Sequence, residues 1–178
     1  MHFSAPLAVI SALSGAHALV IPRDASVIIG VLTAVQGDID GLDSAVNGWT
    51  SDPSPVLDAS NKLVDTISQG TATVQGSPDL TLDESLTLLD PVQSLKQHAQ
   101  TLVDDLKAKK DTVQQAGLCE VVEIQIGTIS DKSKGLIDAT VSKVPQDAQG
   151  IAQDQAQGIL DVLADAQSAF SPGNCVNA

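Results

Sequence analysis

The chain has 178 residues, 43% of them hydrophobic, which suits one domain around one core rather than two. Aromatic residues are 2% of the chain, Tyr is absent, and only Trp49 and Phe170 lie beyond the first few positions, so the core must be aliphatic. Nine Lys and Arg against 22 Asp and Glu give a net charge of −13, which repels phosphate backbones and anionic headgroups and excludes nucleic acid as a partner.

The first eighteen residues read as a secretory signal. An apolar run from Phe3 through Leu13 is followed by small residues ending in Ala16-His17-Ala18, a cleavage pattern that starts the mature chain at Leu19. Beyond this leader no segment is expected to reach the length of a membrane span, and Ser171 to Ala178 lacks the apolar tail of a lipid-anchor signal. There is no Asn-x-Ser/Thr sequon. The expected product is freely secreted.

Helical periodicity then runs through the chain. Ile28, Leu32, Val35, Ile39, Leu42, Val46 and Trp49 alternate spacings of four and three, which predicts one long helix with a single apolar seam, capped by Asp24. Asp38, Asp40 and Asp43 surround Gly41 but lack the spacing and terminal Glu of a calcium loop, so they read as the solvated outer face of this helix. Ser51-Asp52-Pro53-Ser54-Pro55 makes the first break. The second helix carries Val56, Ser60, Leu63, Ile67 and Val74, and Gly76-Ser77-Pro78-Asp79 ends it. A short helical stretch spans Thr81 to Leu89, with a restart at Pro91 in the first turn of a helix capped by Asp90. That third long helix runs through Leu95, Ala99, Leu102, Leu106 and Val113 to Gly117. The fourth uses Val122, Ile126, Ile129, Leu136 and Thr140, and the fifth Ala152, Ala156, Ile159, Leu163, Ala166 and Phe170. Nothing reads as a strand. The fold class is all-α, an up-and-down bundle of about five amphipathic helices with an aliphatic core.

Two cysteines, Cys119 and Cys175, fit an oxidising destination as one disulfide. Pro145 lies near their midpoint, so a helix from Cys119 to Val144 and another from Gln146 to Phe170 would return the two sulfurs to one end of a helical hairpin.

Catalytic constellations are missing from the sequence. His98 is the only histidine of the expected mature chain, which excludes a His-rich zinc site and leaves any Ser-His-Asp triad dependent on this one ring. There is no Gly-x-Ser-x-Gly elbow, phosphate loop or Cys-x-x-Cys. The reading is a non-enzyme with no cofactor, no metal and no catalytic residue, in which His98 is a surface side chain.

The runs Pro91-Val92-Gln93-Ser94-Leu95, Thr101-Leu102-Val103-Asp104-Asp105-Leu106-Lys107-Ala108-Lys109-Lys110, Ala116-Gly117 and Ser142-Lys143-Val144-Pro145, with Arg23-Asp24-Ala25 and Asp43-Ser44-Ala45-Val46, resemble the fungal hydrophobic surface binding proteins and related cell wall mannoproteins. The resemblance covers residues 22–171, leaving 172–178 as a tail. It implies a secreted helical domain that adsorbs to hydrophobic surfaces, in some members encloses a fatty acid between its helices, and in others brings a secreted esterase to a polymer. The cell wall members often add Ser/Thr-rich, lipid-anchored tails, so wall association here is expected to be without a lipid anchor.

Two physical modes follow from the seams. Helices part and lay their apolar faces on a surface, or the bundle stays closed around an acyl chain. In the second mode the lipid-binding lining is Ile39, Leu42, Leu63, Ile67, Leu102, Leu106, Ile126, Ile129, Ile159 and Leu163. The same positions equally describe a plain core, and a wall mannoprotein acting as an inert spacer or antigen is the alternative function.

Overall fold

A computed structural model describes residues 23–178, with side chains from residue 25. The leader lies outside the described residues, and α1 already begins at Arg23, so Asp24 falls within its first turn instead of preceding it as a cap. Within them the chain forms seven helices: α1 Arg23–Gly48, α2 Ser54–Gln75, α3 Leu82–Leu86, α4 Leu89–Ala108, α5 Lys110–Gln115, α6 Cys119–Lys143 and α7 Gln146–Phe170. α1, α2, α4, α6 and α7 run 20 residues or more and are the five long helices of the bundle. No strand occurs among the described residues; Pro172 and Cys175 form an isolated bridge.

The seam of α1 is buried without exception: Ile28, Leu32, Val35, Ile39, Leu42, Val46 and, just past the helix end, Trp49. At about 1.5–3 kcal/mol for each large side chain fully buried, this one stripe is among the largest stabilising terms in the molecule. Ala25–Gly48 is also long and apolar enough, by length and composition, to cross a membrane, contrary to the expectation that no segment after the leader would be. Its apolar stripe is taken up by contact with α2 and α4, as in the core helix of a bundle.

The long helices close into a ring in which α1 touches α2, α2 touches α6, α6 touches α7, α7 touches α4, and α4 returns to α1. Direction alternates from each long helix to the next along the chain, yet three of the five interfaces are parallel. Asp40 meets His98 and Asn47 meets Asp105 between α1 and α4, and Lys96 meets Gly158 and Lys107 meets Asp165 between α4 and α7. Ser60 meets Gln125 near the start of α2 and α6, while past the end of α2 the Leu80 amide donates to the Lys143 carbonyl at the end of α6.

Local chemistry corrects several boundaries. α3 begins at a Thr81 capping box, in which the Thr81 hydroxyl accepts the Glu84 amide and the Glu84 carboxylate accepts the Thr81 amide. α4 restarts at Leu89 behind Leu88, so Asp90 is not its cap but lies in its first turn with Pro91. The helix expected to run unbroken to Gly117 stops at Lys109. Lys109 turns its ammonium to the carbonyls of Asn47 and Trp49, satisfying the C-terminal end of α1, and this tertiary bond overrides the helical preference of the Lys-rich run. Gly117, with φ +71°, then provides the left-handed turn that ends α5.

Of the acids of α1, Asp40 is exposed as expected, but Asp38 and Asp43 are not on a solvated face. Asp38 accepts Thr66 Oγ1 at 2.6 Å and Lys62 Nζ at 2.7 Å from α2. Burial pushes the Asp38 carboxyl up, but those bonds and the Lys62 charge outweigh it and the group ionises below its ordinary range. On the other flank a polar ladder ties α1 to α4. Ser94 donates to Gln36, Gln36 and Asp40 hold the two ring nitrogens of His98, and Asn47 Nδ2 donates to Asp105 at 2.7 Å and to Asp43 at 3.3 Å. Asp43 Oδ1 is buried without a partner. Burial first, then the charge and hydrogen bond of Asp105, push the Asp43 carboxyl above its ordinary range; Asp40 adds to this and Asn47 opposes it.

The disulfide joins Cys119 at the start of α6 to Cys175 beyond α7, with Cα atoms 5.6 Å apart. The last residues turn back at Gly173, φ +94°, and dock: Asn177 Oδ1 accepts the Cys119 amide and the Ala178 amide donates to the Gln114 carbonyl. Closing a loop of 56 residues is worth about 4 kcal/mol on the chain-entropy estimate. Cys175→Ser should therefore lower unfolding stability by about 2–5 kcal/mol in denaturant titration, with helical content retained in the folded baseline. Because the folded state favours protonated Asp43, this group weakens the fold above its raised pKa and ceases to do so once pH falls below its unfolded value. Asp43→Asn should stabilise the protein at neutral pH, and the gain should vanish in acid; equal gain at all pH values would remove the carboxyl pair as the cause.

Candidate functional site

Inside the ring lies a cavity of about 200 Å³. Each of the five long helices contributes wall, because each presents its apolar stripe inward; α3 adds Ser85 and Leu86 at one end. The ten positions expected to line an acyl site all border this one space: Ile39 and Leu42 from α1, Leu63 and Ile67 from α2, Leu102 and Leu106 from α4, Ile126 and Ile129 from α6, and Ile159 and Leu163 from α7. Ile39, Leu42, Leu63, Ile67, Leu102, Ile126 and Leu163 are buried, and Leu106, Ile129 and Ile159 half-buried. Sequence periodicity did not single out Val144, Ala148 and Ile151, where the wall continues past the α6–α7 turn.

The wall carries little that could serve chemistry. Its polar side chains are Ser60, Ser85, Gln125, Ser133, Thr140 and Gln155. Ser60 is buried and donates to Gln125 Oε1 at 3.0 Å; Ser85 and Thr140 return their hydroxyls to backbone carbonyls of Thr81 and Leu136. These are neutral, mostly satisfied groups with no titratable partner among the lining residues. An apolar cavity of about 150 Å³ stays dry and takes up an apolar ligand instead of water, and this one is larger. A void of this size left empty would cost about 5 kcal/mol at roughly 24 cal/mol per Å³, comparable with the whole stability of a marginal domain at about 5–15 kcal/mol. Occupancy by hydrocarbon would offset that term.

A second, shallow concavity lies outside the ring at Asp40, Asp43, Gln97, His98 and Thr101. Both nitrogens of His98 are engaged there, by Gln36 and Asp40, and the ring serves to pack α4 on α1. Among the described residues no group of three or more His, Cys, Asp or Glu is placed to hold a metal.

The family described as Hydrophobic surface binding protein A matches residues 25–142. Cell wall mannoprotein 1 of Aspergillus flavus is 33% identical over 134 residues, 75% of this chain and 49% of that protein. Cell wall mannoprotein 1 of Aspergillus fumigatus is 34% identical over 166 residues, 92% of this chain and 58% of that protein. The chain thus spans about half the length of these relatives. Ligand binding domain 1 of the Penicillium marneffei MP1 protein, solved in complex with arachidonic acids, superposes with a TM-score of 0.81 at 22% identity, over 84% of this chain and 100% of that one. AFMP4P, solved in complex with palmitic acid, gives 0.77 at 25% identity, over 83% and 100%. With the family pattern spanning most of the folded chain and the helical ring shared with these domains, the chain belongs to the hydrophobic surface binding protein A family.

Proposed function

We propose that this protein is a secreted, non-catalytic lipid carrier that encloses the acyl chain of a fatty acid within its helical ring. The observation that carries this reading is the aliphatic cavity of about 200 Å³ between the long helices. Ile39, Leu42, Leu63, Ile67, Leu102, Leu106, Ile126, Ile129, Ile159 and Leu163 are its proposed lipid-binding wall. Solved domains of similar fold hold arachidonic and palmitic acid, which supports a long-chain carboxylic acid as the ligand class. Residues 1–18 act as the secretory leader, 22–171 as the lipid-binding domain and 172–178 as a tail. The oxidised Cys119–Cys175 pair supports an extracellular destination.

Adsorption to hydrophobic surfaces belongs to the same reading, at the exposed edge of the cavity wall and the neighbouring Leu82. Leu82 and Leu86 of α3 and Ile151 of α7 are about half exposed, at 51%, 48% and 51%, an unusual display for large aliphatic side chains.

Delipidated protein should gain thermal stability on adding palmitate or arachidonate, since a ligand that prefers the folded state at one hundred times its Kd adds about 2.7 kcal/mol. Ile129→Trp and Leu106→Trp should abolish fatty-acid binding while destabilising the protein by less than the roughly 1–3 kcal/mol of overpacking in a filled core. No thermal shift in the unaltered protein, with full overpacking penalties in both variants, would return these residues to a plain core.

A further inference from the structure

The cavity wall reaches solvent in one region. Of the lining side chains, only Leu86 of α3 and Ile151 and Gln155 of α7 are exposed. The register that sets Lys96 beside Gly158 and Lys107 beside Asp165 places Ile151 and Gln155 across from the first two turns of α4, where Leu89 and Val92 also line the cavity. Ile151, Gln155 and Gly158 follow one another at helical spacings of four and three along the α7 stripe that faces α4. Together these residues frame a slit between the starts of α4 and α7, with α3 at its lower end.

Lys96, which is not itself part of the cavity wall, stands just beyond the upper end of that slit. Its side chain lies so close over Gly158 that a Cβ there would sit 2.6 Å from Nζ, 3.0 Å from Cε and 3.2 Å from Cδ. The absence of a side chain at 158 is what seats the ammonium against α7, one helical turn from Gln155. Among the described residues Lys96 forms no ion pair, although acids outnumber Lys and Arg by 22 to 9 in the chain. The slit is therefore apolar at Leu86 and Ile151 and has an unpaired cation just beyond its far corner.

We propose that this slit is the mouth of the cavity, and that the Lys96 ammonium seated over Gly158 holds the carboxylate of a bound fatty acid while its tail fills the ring. The assignment rests on the cavity being a fatty-acid site. The competing positions for the headgroup are the neutral polar side chains inside the ring, Ser133 and the Ser60–Gln125 pair, the latter already bonded to each other. An ionised carboxylate moved there loses its water without gaining an opposite charge, which is strongly unfavourable. At the mouth it keeps partial hydration and gains a cation. Lys96 is then a headgroup-specificity residue, and the depth of the ring sets only the tail.

The test compares palmitate with methyl palmitate and hexadecanol at pH 8, using the full secreted protein. Unaltered protein should bind palmitate about three- to tenfold more tightly than the two uncharged ligands, the range of a partly exposed charge-assisted hydrogen bond, with the preference falling as salt rises. Lys96→Met should erase the preference without changing hexadecanol affinity or melting temperature. Lys96→Arg should keep it, and Gly158→Ala, by displacing the ammonium, should reduce it. Undiminished palmitate preference in Lys96→Met would overturn the anchor and place the carboxylate inside the ring. Failure of the unaltered protein to bind any of the three ligands would instead overturn the cavity reading, and the anchor with it.

Discussion

Five long helices whose inward stripes are made of Leu, Ile, Val and Ala cannot fill the centre of the ring they form. Two or four packed helices bring facing side chains into contact across the seam, but a ring of five leaves an axis that only long or aromatic side chains reach. The two aromatic residues of the described chain, Trp49 and Phe170, are buried but do not line the cavity. The void of about 200 Å³ is thus a property of composition and helix number together. It explains why the same positions serve as core and as wall.

A ring holding a void needs its seams fixed by something other than a jigsaw interior, and the polar side chains supply this at the outer edges. Asp38 is gripped by Lys62 and Thr66 from α2, while the ladder from Ser94 through Gln36 and His98 to Asp40 sets the register with α4. Hydrogen bonds of this kind are directional where apolar contact is not, so they specify which turns meet. The one strained rung is Asp43, whose buried oxygen has no donor and whose neighbour Asp105 is also a carboxylate.

Much of this was legible in the sequence because a helix repeats its burial every 3.6 residues. The seven-residue seam from Ile28 to Trp49 is buried in full, and the hairpin read from Cys119, Pro145 and Cys175 forms with its disulfide closed. What periodicity cannot supply is the partner of each face. The ring order and its parallel interfaces depend on long-range pairs such as Asn47 with Asp105, and nothing local marks Lys109 as the residue that ends α4 by reaching for α1. Asp38 and Asp43 depart from a solvated face for the same reason, since a carboxylate packed against a neighbouring helix has the same local spacing as one in water, such as the exposed Asp40. Whether the ten wall positions enclose space or each other was likewise beyond the pattern, because a void has no residue of its own. Lys96 and Gly158 gave no signal at all, since their meaning lies in their proximity across α4 and α7.

The disulfide makes the two ends of the bundle mechanically unequal. Cys119 and Cys175 tie α6 and α7 covalently at the end where Lys109 also clasps α1 and the last residues dock on Gln114 and Cys119. The opposite end is closed by the short α3 and by single contacts such as Leu80 to Lys143, and the exposed leucines sit there. Spreading the helices must therefore pivot about the cross-linked end, like a purse opening from its unsewn edge. Amide exchange would be slowest beside the disulfide and grade outward toward α3, so the molecule has a built-in direction of yielding.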